Sequence, residues 1–413
     1  MFVDNEISIF DLVYAISEIV DLALPDLNCH HKQVAYISCK IAQEMGLPED
    51  ILQDIVLSSI LHDIGAFSTS ERIKIKTMEE YDGDINYHAE MGCKLLKNFA
   101  HFANASEIIR YHHVNYDSSR TEIPIGSYVI HLADKLSLMF DEEREILGQV
   151  PAIIEKIYNN QEIFHPDVLK AFNAFSKFEY FWIEAYQPTL DSILGRKSIC
   201  LIGIGNLITL RDFVKIVAYM IDFRSEFTST HSSGVAAVAS EIAKIFGFSA
   251  KECSLVEIAG FLHDVGKLII PNEILEKNGA LDDEEFNAVK KHAYYTYSIL
   301  NKIKGFEQIA LWASQHHERL DGNGYPFHIK DENFTKLARI VAVADIVTAL
   351  SEDRPYRLGM SANETIEIIC DMAKSGKLDK YLVKLVEENF WRINDMRVKA
   401  QQSASEEYTA FLS

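Results

Sequence analysis

The sequence predicts an all-α protein that is built from two tandem helical bundles. Apolar residues recur at three- and four-residue spacing along most of the 413-residue chain, and this is the period of an amphipathic helix. No segment has the alternating apolar and polar pattern of a half-buried strand. The same order of helices and histidines occurs twice, which indicates an internal duplication.

Length and composition set broad limits on the class of protein. A chain of 413 residues, of which 48% are hydrophobic, is long enough to form two domains with full cores. The formal net charge of −21 argues against binding to the backbone of DNA or RNA. An anionic ligand would therefore need positive charge that is supplied locally by metals and a few basic side chains.

Three features predict a cytoplasmic protein that does not associate with a membrane. The six cysteines are scattered and form no CxxC pair, as expected for reduced thiols. The acidic start of the chain lacks the basic segment of a signal peptide. The longest apolar stretch, Ile199–Leu210, is interrupted by glycines and is shorter than the roughly 20 residues that cross a bilayer.

The leading helix of each half is predicted from its apolar spacing and from its N-cap. Ile9–Leu22 follows Ser8, and Leu210–Phe223 follows Thr209, with an aspartate three residues after each cap. The two caps are 201 residues apart, so the duplication includes this helix.

Three further helix pairs follow in the same order in both halves. The first pair ends at Gly46 and Gly247, because glycine readily takes the left-handed conformation that terminates a helix. The second pair carries a His-Asp dipeptide near its C-terminal end, and the third pair carries an aspartate. The predicted pairs are Val34–Met45 and Val235–Phe246, Ile51–Leu61 and Leu255–Leu262, and Tyr128–Leu138 and Ile340–Leu350.

The boundary between the halves is predicted at Leu194–Gly205, which contains glycines but few polar residues. This boundary gives a first domain at residues 1–200 and a second domain at residues 205–413. The aromatic residues before it have the spacing of a buried helix face or a domain interface, rather than that of a ligand site. These residues are Phe172, Phe175, Phe178, Phe181 and Trp182.

Seven side chains of the metal-binding type recur in the same order in both halves. In the first half they are His30, His62, Asp63, His88, His112, His113 and Asp134. In the second half they are His231, His263, Asp264, His292, His316, His317 and Asp345. Partners are separated by 201 residues for the first three, 204 for the next three and 211 for the last. This register indicates two copies of one His/Asp site.

The chemistry of these side chains suits first-row divalent metals such as iron, manganese, nickel or zinc. No thiolate lies among them, which argues against a structural zinc. Seven ligands suit two ions that share a bridging carboxylate, for which Asp264 is the natural candidate. Two such ions can hold a hydroxide and polarise a phosphoryl oxygen. A single histidine is more often packed or solvated than metal-bound, but repetition of the whole set argues against that interpretation.

The second half resembles the HD-GYP family of bacterial cyclic-dinucleotide phosphodiesterases, which belongs to the HD superfamily. The resemblance rests on Leu262–Lys267 (LHDVGK), His316–Pro326 (HHERLDGNGYP) and Asp353–Arg357 (DRPYR), and it extends from about Thr209 to the last helix. It implies two tandem HD-type bundles, and it implies that the seven side chains of the second half bind metal.

The resemblance also implies roles for residues around the metals. Lys267 would contact the scissile phosphate, where its charge offsets the charge that develops in the transition state. Tyr325 would lie on the substrate loop. Arg354 and Arg357 would bind phosphate or a guanine edge, since a guanidinium can pair bidentately; the alternative for these two is a salt-bridged turn. Lys267 and Asp264 are the predicted catalytic residues.

The number of ions is predicted from one departure from the family pattern. Three-metal members of the family have a glutamate four residues before the first histidine. Here Phe227 occupies that position and Glu226 precedes it, so two ions are predicted. Iron or manganese is expected, with nickel and zinc as alternatives.

The first half keeps all seven ligand-type residues but lacks the other motifs. Ala66 occupies the position of Lys267, and neither a GYP sequence nor an Arg-Pro-Tyr-Arg sequence follows. The first half is therefore predicted as a second, non-catalytic metal site. The alternatives are a structural partner of the second half, and a sensor or interaction module through which the chain contacts a second copy or a signalling partner.

Together these features predict a phosphodiesterase that opens a cyclic dinucleotide to a linear 5′-phosphorylated dinucleotide. The substrate is cyclic di-GMP or 3′3′-cyclic GMP-AMP, between which the sequence does not decide. Two alternatives are an HD phosphohydrolase of mononucleotides and a non-catalytic receptor that binds the nucleotide. The GYP loop and DRPYR argue against the first, and the complete ligand set argues against the second.

Overall fold

The structure is a computed structural model, and its helices confirm the predicted all-α class. It describes residues 7–23, 29–66, 86–97, 99–141, 143–189, 203–204, 207–222, 230–275, 277, 279–330, 333–353 and 358–412. Among these residues the only strand pairing is a two-residue antiparallel bridge, in which Ile7–Ser8 pairs with Gly203–Ile204. No helix among them combines the length and apolar character that crossing a membrane requires.

The chain forms two compact units. One unit comprises Ile16–Ile202, and the other comprises Met1–Ala15 together with Gly203–Ser413. The predicted domains were residues 1–200 and 205–413, and the start of the chain instead groups with the second half. The pairing of Ile7–Ser8 with Gly203–Ile204 supplies a physical reason, because backbone hydrogen bonds tie the two segments together. Most of the predicted boundary Leu194–Gly205 lies outside the described residues.

The first unit is organised around helix His30–Glu44, which packs against Glu49–Leu61 and Ile125–Ser137. Most of this central helix is buried, so it forms the core of the unit rather than a half-exposed face. Of helix Ile9–Ala23, the part from Ile16 onwards belongs to this unit. The other described helices are Tyr87–Leu96, Ala103–Arg110, Ile146–Asn159, Pro166–Phe175 and Glu179–Tyr186, with short 3-10 turns at Ala100–Phe102 and Gln161–Ile163.

The second unit repeats this plan around helix His231–Phe246. This helix packs against Ala250–Leu262, Lys336–Ser351 and the long last helix Lys380–Leu412, which has a non-helical residue at Asn389. The other described helices are Leu207–Asp222, Asn272–Leu275, Asp283–Leu300, Glu307–Ser314 and Ala362–Lys374, with a 3-10 turn at Val265–Ile269.

Local sequence signals explain where several of the helices begin and end. Gly46 and Gly247 have φ of +66° and +101°, as predicted from their position after the first ligand helices. Capping boxes start helices Ala250–Leu262, Asp283–Leu300 and Ala362–Lys374. The predicted cap Thr209 is wrong, because the helix begins at Leu207 and includes it.

The aromatic residues near the end of the first half are mainly core residues. Phe172, Phe175, Phe181 and Trp182 are buried, whereas Phe178 is 44% exposed. The Trp182 indole donates a 2.7 Å hydrogen bond to the Ser176 carbonyl, which satisfies its polar atom inside the core. The predicted buried face is therefore confirmed for four of the five rings and is wrong for Phe178.

Candidate metal centre

The seven predicted ligands of the second half come together although they arise from five separate helices. His231 is the first residue of helix His231–Phe246, and His263 and Asp264 directly follow Ala250–Leu262. The remaining four lie within or directly after other helices of this unit: His292 in Asp283–Leu300, His316 and His317 after Glu307–Ser314, and Asp345 in Lys336–Ser351.

Asp264 lies between two groups of ligand atoms. Its Oδ2 is 3.1 Å from His263 Nε2, and its Oδ1 is 3.5 Å from His292 Nε2 and 3.8 Å from His316 Nε2. On the His263 side, His231 Nε2 is 3.3 Å from Asp345 Oδ1. One oxygen of Asp264 thus faces each group, as expected of a bridging carboxylate.

Hydrogen bonds fix the proton of each central histidine on the nitrogen that points away from the site. Nδ1 of His263, His292 and His316 lies 2.6–2.7 Å from the backbone carbonyl three residues earlier. A carbonyl can only accept, so Nδ1 carries the hydrogen and Nε2 presents a lone pair to the site. This is the neutral tautomer that binds metals.

Lone pairs that face one another favour a cation between them. His292 Nε2 and His316 Nε2 are 3.2 Å apart, and with both protons on Nδ1 they cannot hydrogen-bond to each other. Two nitrogens about 2.0–2.1 Å from one ion are roughly 2.8–3.4 Å apart at angles between 90° and tetrahedral. Asp264 Oδ1 is buried and has no hydrogen-bond partner. These donor atoms are therefore suitable ligands for a divalent metal ion.

The protonation states of the site follow from its burial and its charges. Burial lowers the pKa of His292 to about 3, so its imidazole is neutral. Burial alone would raise the pKa of Asp264, but His263 and Lys267 outweigh it and hold the pKa well below its usual range. Neutral imidazoles and an ionised carboxylate are the forms that coordinate metals.

Lys267 is in direct contact with the bridging carboxylate. Its Nζ donates a 2.6 Å hydrogen bond to Asp264 Oδ2, and its side chain is 25% exposed. Burial would lower the pKa of Lys267, but the nearby Asp264, Asp345 and Asp222 raise it. The ammonium is therefore charged and lies at the edge of the site.

Tyr325 is the second predicted substrate residue that the structure brings to the site. Its ring centroid is 4.7 Å from that of His317, and its amide donates to the His317 carbonyl at 3.2 Å. Glu318 shapes the loop by accepting from the amides of Phe327 and Ile329 at 2.6 and 3.0 Å. Gly324 is required there, since a Cβ would lie 2.4 Å from Glu318 Cα.

The structure does not test four of the positions used in the predictions. Arg354 and Arg357 lie outside the described residues, as do Phe227 and Glu226. The role of the DRPYR arginines and the absence of a third ion therefore stay predictions.

Glu352 is a further residue next to the candidate centre that was not predicted from the sequence. Its carboxylate oxygens are 3.0 and 3.1 Å from His231 Nδ1, and Gln401 Nε2 donates to Oε2 at 3.1 Å. Glu352 thus orients the ring of His231 and fixes its tautomer, as carboxylate partners of metal-binding histidines do. Its position seven residues after Asp345, two helical turns along the same face, was the available signal.

We expect Glu352→Ala to weaken metal binding by about 10- to 100-fold, because the orienting partner of His231 is lost. Glu352→Gln retains an acceptor without the charge and should fall between this variant and the wild type. Metal retained after dialysis against a graded chelator measures the effect, and Glu388→Gln on the surface is the control. Wild-type retention in Glu352→Ala would show that His231 needs no such partner.

The first unit assembles the same kind of centre. Asp63 Oδ2 is 3.3 Å from His62 Nε2, and Asp63 Oδ1 is 3.2 Å from His88 Nε2. Two potential ligand groups have their donor atoms within 4.8 Å of one another. They are Asp63 with His88, His112 and His113, and His30 with His62 and Asp134.

Hydrogen bonds hold histidine rings of the first unit in a similar way. His62 Nδ1 donates to the Ser59 carbonyl at 2.8 Å. His30 Nδ1 donates to Ser137 Oγ at 3.0 Å, because the Ser137 hydroxyl itself donates to Gln33. The Nε2 atoms of His30 and His62 then face each other at 3.2 Å. Three buried atoms that have no hydrogen-bond partner also favour a cation: Asp63 Oδ1, His112 Nε2 and Asp134 Oδ1.

Next to this first centre, the motif position that holds Lys267 in the second unit supplies no ammonium group. Ala66 is fully buried there. A different basic side chain, His31, is buried close to His62 and Asp63. The two centres therefore share their metal-type ligands and differ in the residues around them.

Comparison with protein families and known proteins agrees with two related halves. Residues 29–139 and residues 215–382 each match a family described as HD domain, and together the matches cover more than half of the chain. Over 393 residues the chain is 28% identical to 3′3′-cGAMP-specific phosphodiesterase 1 of Vibrio cholerae, a match that covers 89% of this chain and 88% of that protein.

Other relatives match a shorter part of the chain. Identity is 40% over 150 residues to 3′3′-cGAMP-specific phosphodiesterase 3 of Vibrio cholerae, which covers 36% of this chain and 33% of the relative. The chain is also 40% identical over 149 residues to a cyclic di-GMP phosphodiesterase response regulator of Xanthomonas campestris. This match covers 36% of this chain and 39% of the relative. A crystal structure of a Vibrio cholerae cyclic GMP-AMP-specific phosphodiesterase shares the fold, with TM-score 0.63, 20% identity and coverage of 92% and 97%.

Proposed function

This chain belongs to the HD-GYP family of HD domain proteins, with an HD domain in each half, and we propose that its second half hydrolyses a phosphodiester bond of a cyclic dinucleotide. One observation carries the proposal. The second unit joins a complete metal-type ligand set to a charged lysine and to the GYP loop, whose Tyr325 packs on His317. Relatives of this chain are named as cyclic-dinucleotide phosphodiesterases.

Two divalent transition-metal ions are the proposed cofactors. His231, His263 and Asp345 would hold one ion, and His292, His316 and His317 the other, with Asp264 between them. Iron or manganese suits this mixed set, and nickel or zinc are alternatives. Such ions supply an activated water and positive charge next to a phosphoryl oxygen.

Residues of the chain itself would supply the other contributions to catalysis. Asp264 is ionised and positions both ligand groups, while Lys267 presents a charged ammonium at the edge of the site. An ammonium fixed there opposes the negative charge that builds on the phosphate in the transition state. Tyr325 closes one side of the site against His317, and the loop that carries it is held by Glu318.

The proposed product is a linear dinucleotide with a 5′ phosphate, formed when the 3′ oxygen leaves. Cyclic di-GMP and 3′3′-cyclic GMP-AMP are both proposed substrates, because relatives of both names match the chain. The experiment is metal analysis of anaerobically purified protein, followed by chromatography of the products from both dinucleotides and from mononucleotides. Hydrolysis of mononucleotides alone would support the alternative phosphohydrolase, and binding without hydrolysis would support a receptor.

For the first half we propose a metal site that does not hydrolyse the dinucleotide. Its ligand atoms face one another as those of the second unit do, whereas Lys267 is replaced by Ala66 and no GYP sequence follows His113. The site would then stabilise the first unit, because a ligand that binds only the folded state adds to the free energy of unfolding.

We expect Asp63→Ala to lower the metal content per chain while most of the hydrolysis remains. Asp63 is the only carboxylate that faces both potential ligand groups of the described first centre. Metal per chain and turnover are measured on the same preparation. The surface variant Asp117→Ala is the control, since Asp117 lies in an exposed turn. Loss of turnover in a folded Asp63→Ala protein would mean that the first half is catalytic or coupled to the second.

A further inference from the structure

An aromatic rim lies beside the candidate centre of the second unit. It consists of rings on helix Asp283–Leu300 and on the loop after Tyr325, and three of them are exposed: Phe286 by 43%, Tyr294 by 51% and Phe327 by 37%. Phe327 contacts Tyr297 and Tyr294, with centroids 5.3 and 6.5 Å apart. Exposed apolar groups that cluster next to a site commonly mark a binding surface.

Phe286 is connected to the metal-type ligands through one intervening ring. Its centroid is 6.3 Å from that of Tyr325 in an edge-on arrangement, and the Tyr325 ring lies 4.7 Å from the His317 ring. Phe286 is therefore within the reach of a nucleotide whose phosphate is at the centre. Much of its surface remains open to solvent, so a ligand group can pack on it.

A lysine accompanies this exposed ring. Lys290 Nζ lies over Phe286, 4.6 Å from the ring centroid, and it also contacts Asn287 Oδ1 at 3.3 Å. The chain carries a net charge of −21, so a cation next to the site favours an anionic ligand. An aromatic face with an adjacent basic side chain is the pattern that binds a base together with its phosphate.

The repeat shows that this pair belongs to the half with the GYP loop. His292 corresponds to His88, 204 residues earlier, and the same spacing relates Phe286 to Asp82 and Lys290 to Asn86. The first half therefore has neither the ring nor the lysine. Both halves keep the metal-type ligands, so the centre itself does not require the pair.

We propose that Phe286 and Lys290 form a subsite for one purine base of the cyclic dinucleotide, with the base stacked on Phe286 and Lys290 contacting its polar edge or phosphate. The proposal rests on the proposed function, because it assumes a dinucleotide at the second centre. Stacking of the purine on Phe286 would supply the affinity at this position. Stacking on an aromatic side chain tolerates either guanine or adenine, so the subsite accepts both proposed substrates.

The test replaces Phe286 in the full-length protein and measures both KM and kcat with cyclic di-GMP and cyclic GMP-AMP. Phe286→Ala should raise KM by roughly 5- to 140-fold, which equals about 1–3 kcal/mol at about 1.4 kcal/mol per decade. Metal content should stay at the wild-type value. Trp391→Ala is the matched control, because Trp391 is a 75% exposed aromatic residue on the last helix and should leave KM unchanged.

Two further substitutions separate stacking from mere support of the Tyr325 ring. Phe286→Trp retains an aromatic face and should restore KM, whereas Phe286→Leu retains apolar bulk without a face and should not. Restoration by leucine as fully as by tryptophan would overturn the proposal in favour of a packing role. Lys290→Ala should weaken binding at low salt more than at high salt, with Lys291→Ala as its control.

Binding by equilibrium dialysis keeps this test separate from that of the proposed function. The Lys267→Ala background is used so that the dinucleotide survives, with and without Phe286→Ala. A wild-type protein that binds but does not hydrolyse the dinucleotide contradicts the proposed function and leaves the subsite testable by affinity. Equal affinity with and without Phe286→Ala overturns the subsite, whatever the turnover.

Discussion

Replacing Asp264 with alanine is expected to remove bound metal from the second unit and to abolish hydrolysis, while the helical fold persists. Asp264 is the one described carboxylate of this unit that faces both ligand groups, at 3.1 Å from His263 and 3.5 Å from His292. Without it, both groups lose a negative ligand. The lone pairs of His292 and His316, 3.2 Å apart, then have less charge near them to retain a cation.

The effect of Asp264→Ala is measured by metal analysis, circular dichroism and product chromatography on one preparation. A thermal titration adds a readout that does not depend on activity. Metal present at about 100 times its Kd stabilises the folded state by about 2.7 kcal/mol, so added metal should raise the Tm of the variant less than that of the wild type. Asp222→Asn is not a suitable control, because Asp222 raises the pKa of Lys267. The surface variant Asp371→Asn is used as the control instead.

Full metal content with normal turnover in Asp264→Ala would disprove the bridging role. Metal retained with turnover lost would instead indicate that each ligand group binds its ion independently, and that Asp264 serves the reaction rather than assembly. The corresponding change Asp63→Ala supplies the comparison, since it alters the same geometry in the half that lacks the lysine.

The grouping of the metal-type His and Asp side chains could be predicted from the sequence because the repeat tests each of them twice. A single buried histidine carries little information, but His30 and His231 share an offset with His62 and His263, which packing alone does not require. The helices were predictable for a related reason, since their apolar period is a local property that tertiary contacts reinforce.

The residues that orient the ligands were not predictable in this way, because they differ between the halves. His231 is held by Glu352, whereas His30 is held by Ser137 and Gln33. Either arrangement supplies an acceptor for Nδ1, so selection for the metal centre does not fix the residue type. The aromatic rim around Phe286 was missed for the same reason, because Asp82 and Asn86 occupy the positions in the first half that match Phe286 and Lys290.

Two errors came from local patterns that the surroundings overrode. Thr209 and Asp212 resemble a cap with its acidic partner, but Leu207 and Ile208 contain no helix-breaking residue, and the helix extends through them. Asn206, a residue type preferred at the N-cap, directly precedes that helix in the sequence. Phe178 continues the spacing of the buried rings, yet it is the residue before helix Glu179–Tyr186 and faces solvent.

Lys267→Ala is expected to lower kcat by roughly 100- to 1,000-fold, the cost of about 2.7–4 kcal/mol that follows removal of a donor aimed at developing charge. Lys267 is charged and lies 2.6 Å from Asp264 Oδ2, next to the proposed position of the phosphate. It is not a metal ligand, so metal content should not fall. Its loss also removes a competing cation from Asp264, which should leave metal affinity equal to or higher than that of the wild type.

The control for this change is Lys267→Arg, which preserves the charge but alters its shape and should restore part of kcat. The first unit already carries alanine at the same motif position, Ala66, so Lys267→Ala makes the two halves alike in this respect. Steady-state kinetics on metal-loaded protein, with metal measured before and after, separates the possibilities. A normal kcat would remove Lys267 from the reaction, and loss of metal together with kcat would show that the ammonium acts by holding Asp264 in place for the ions.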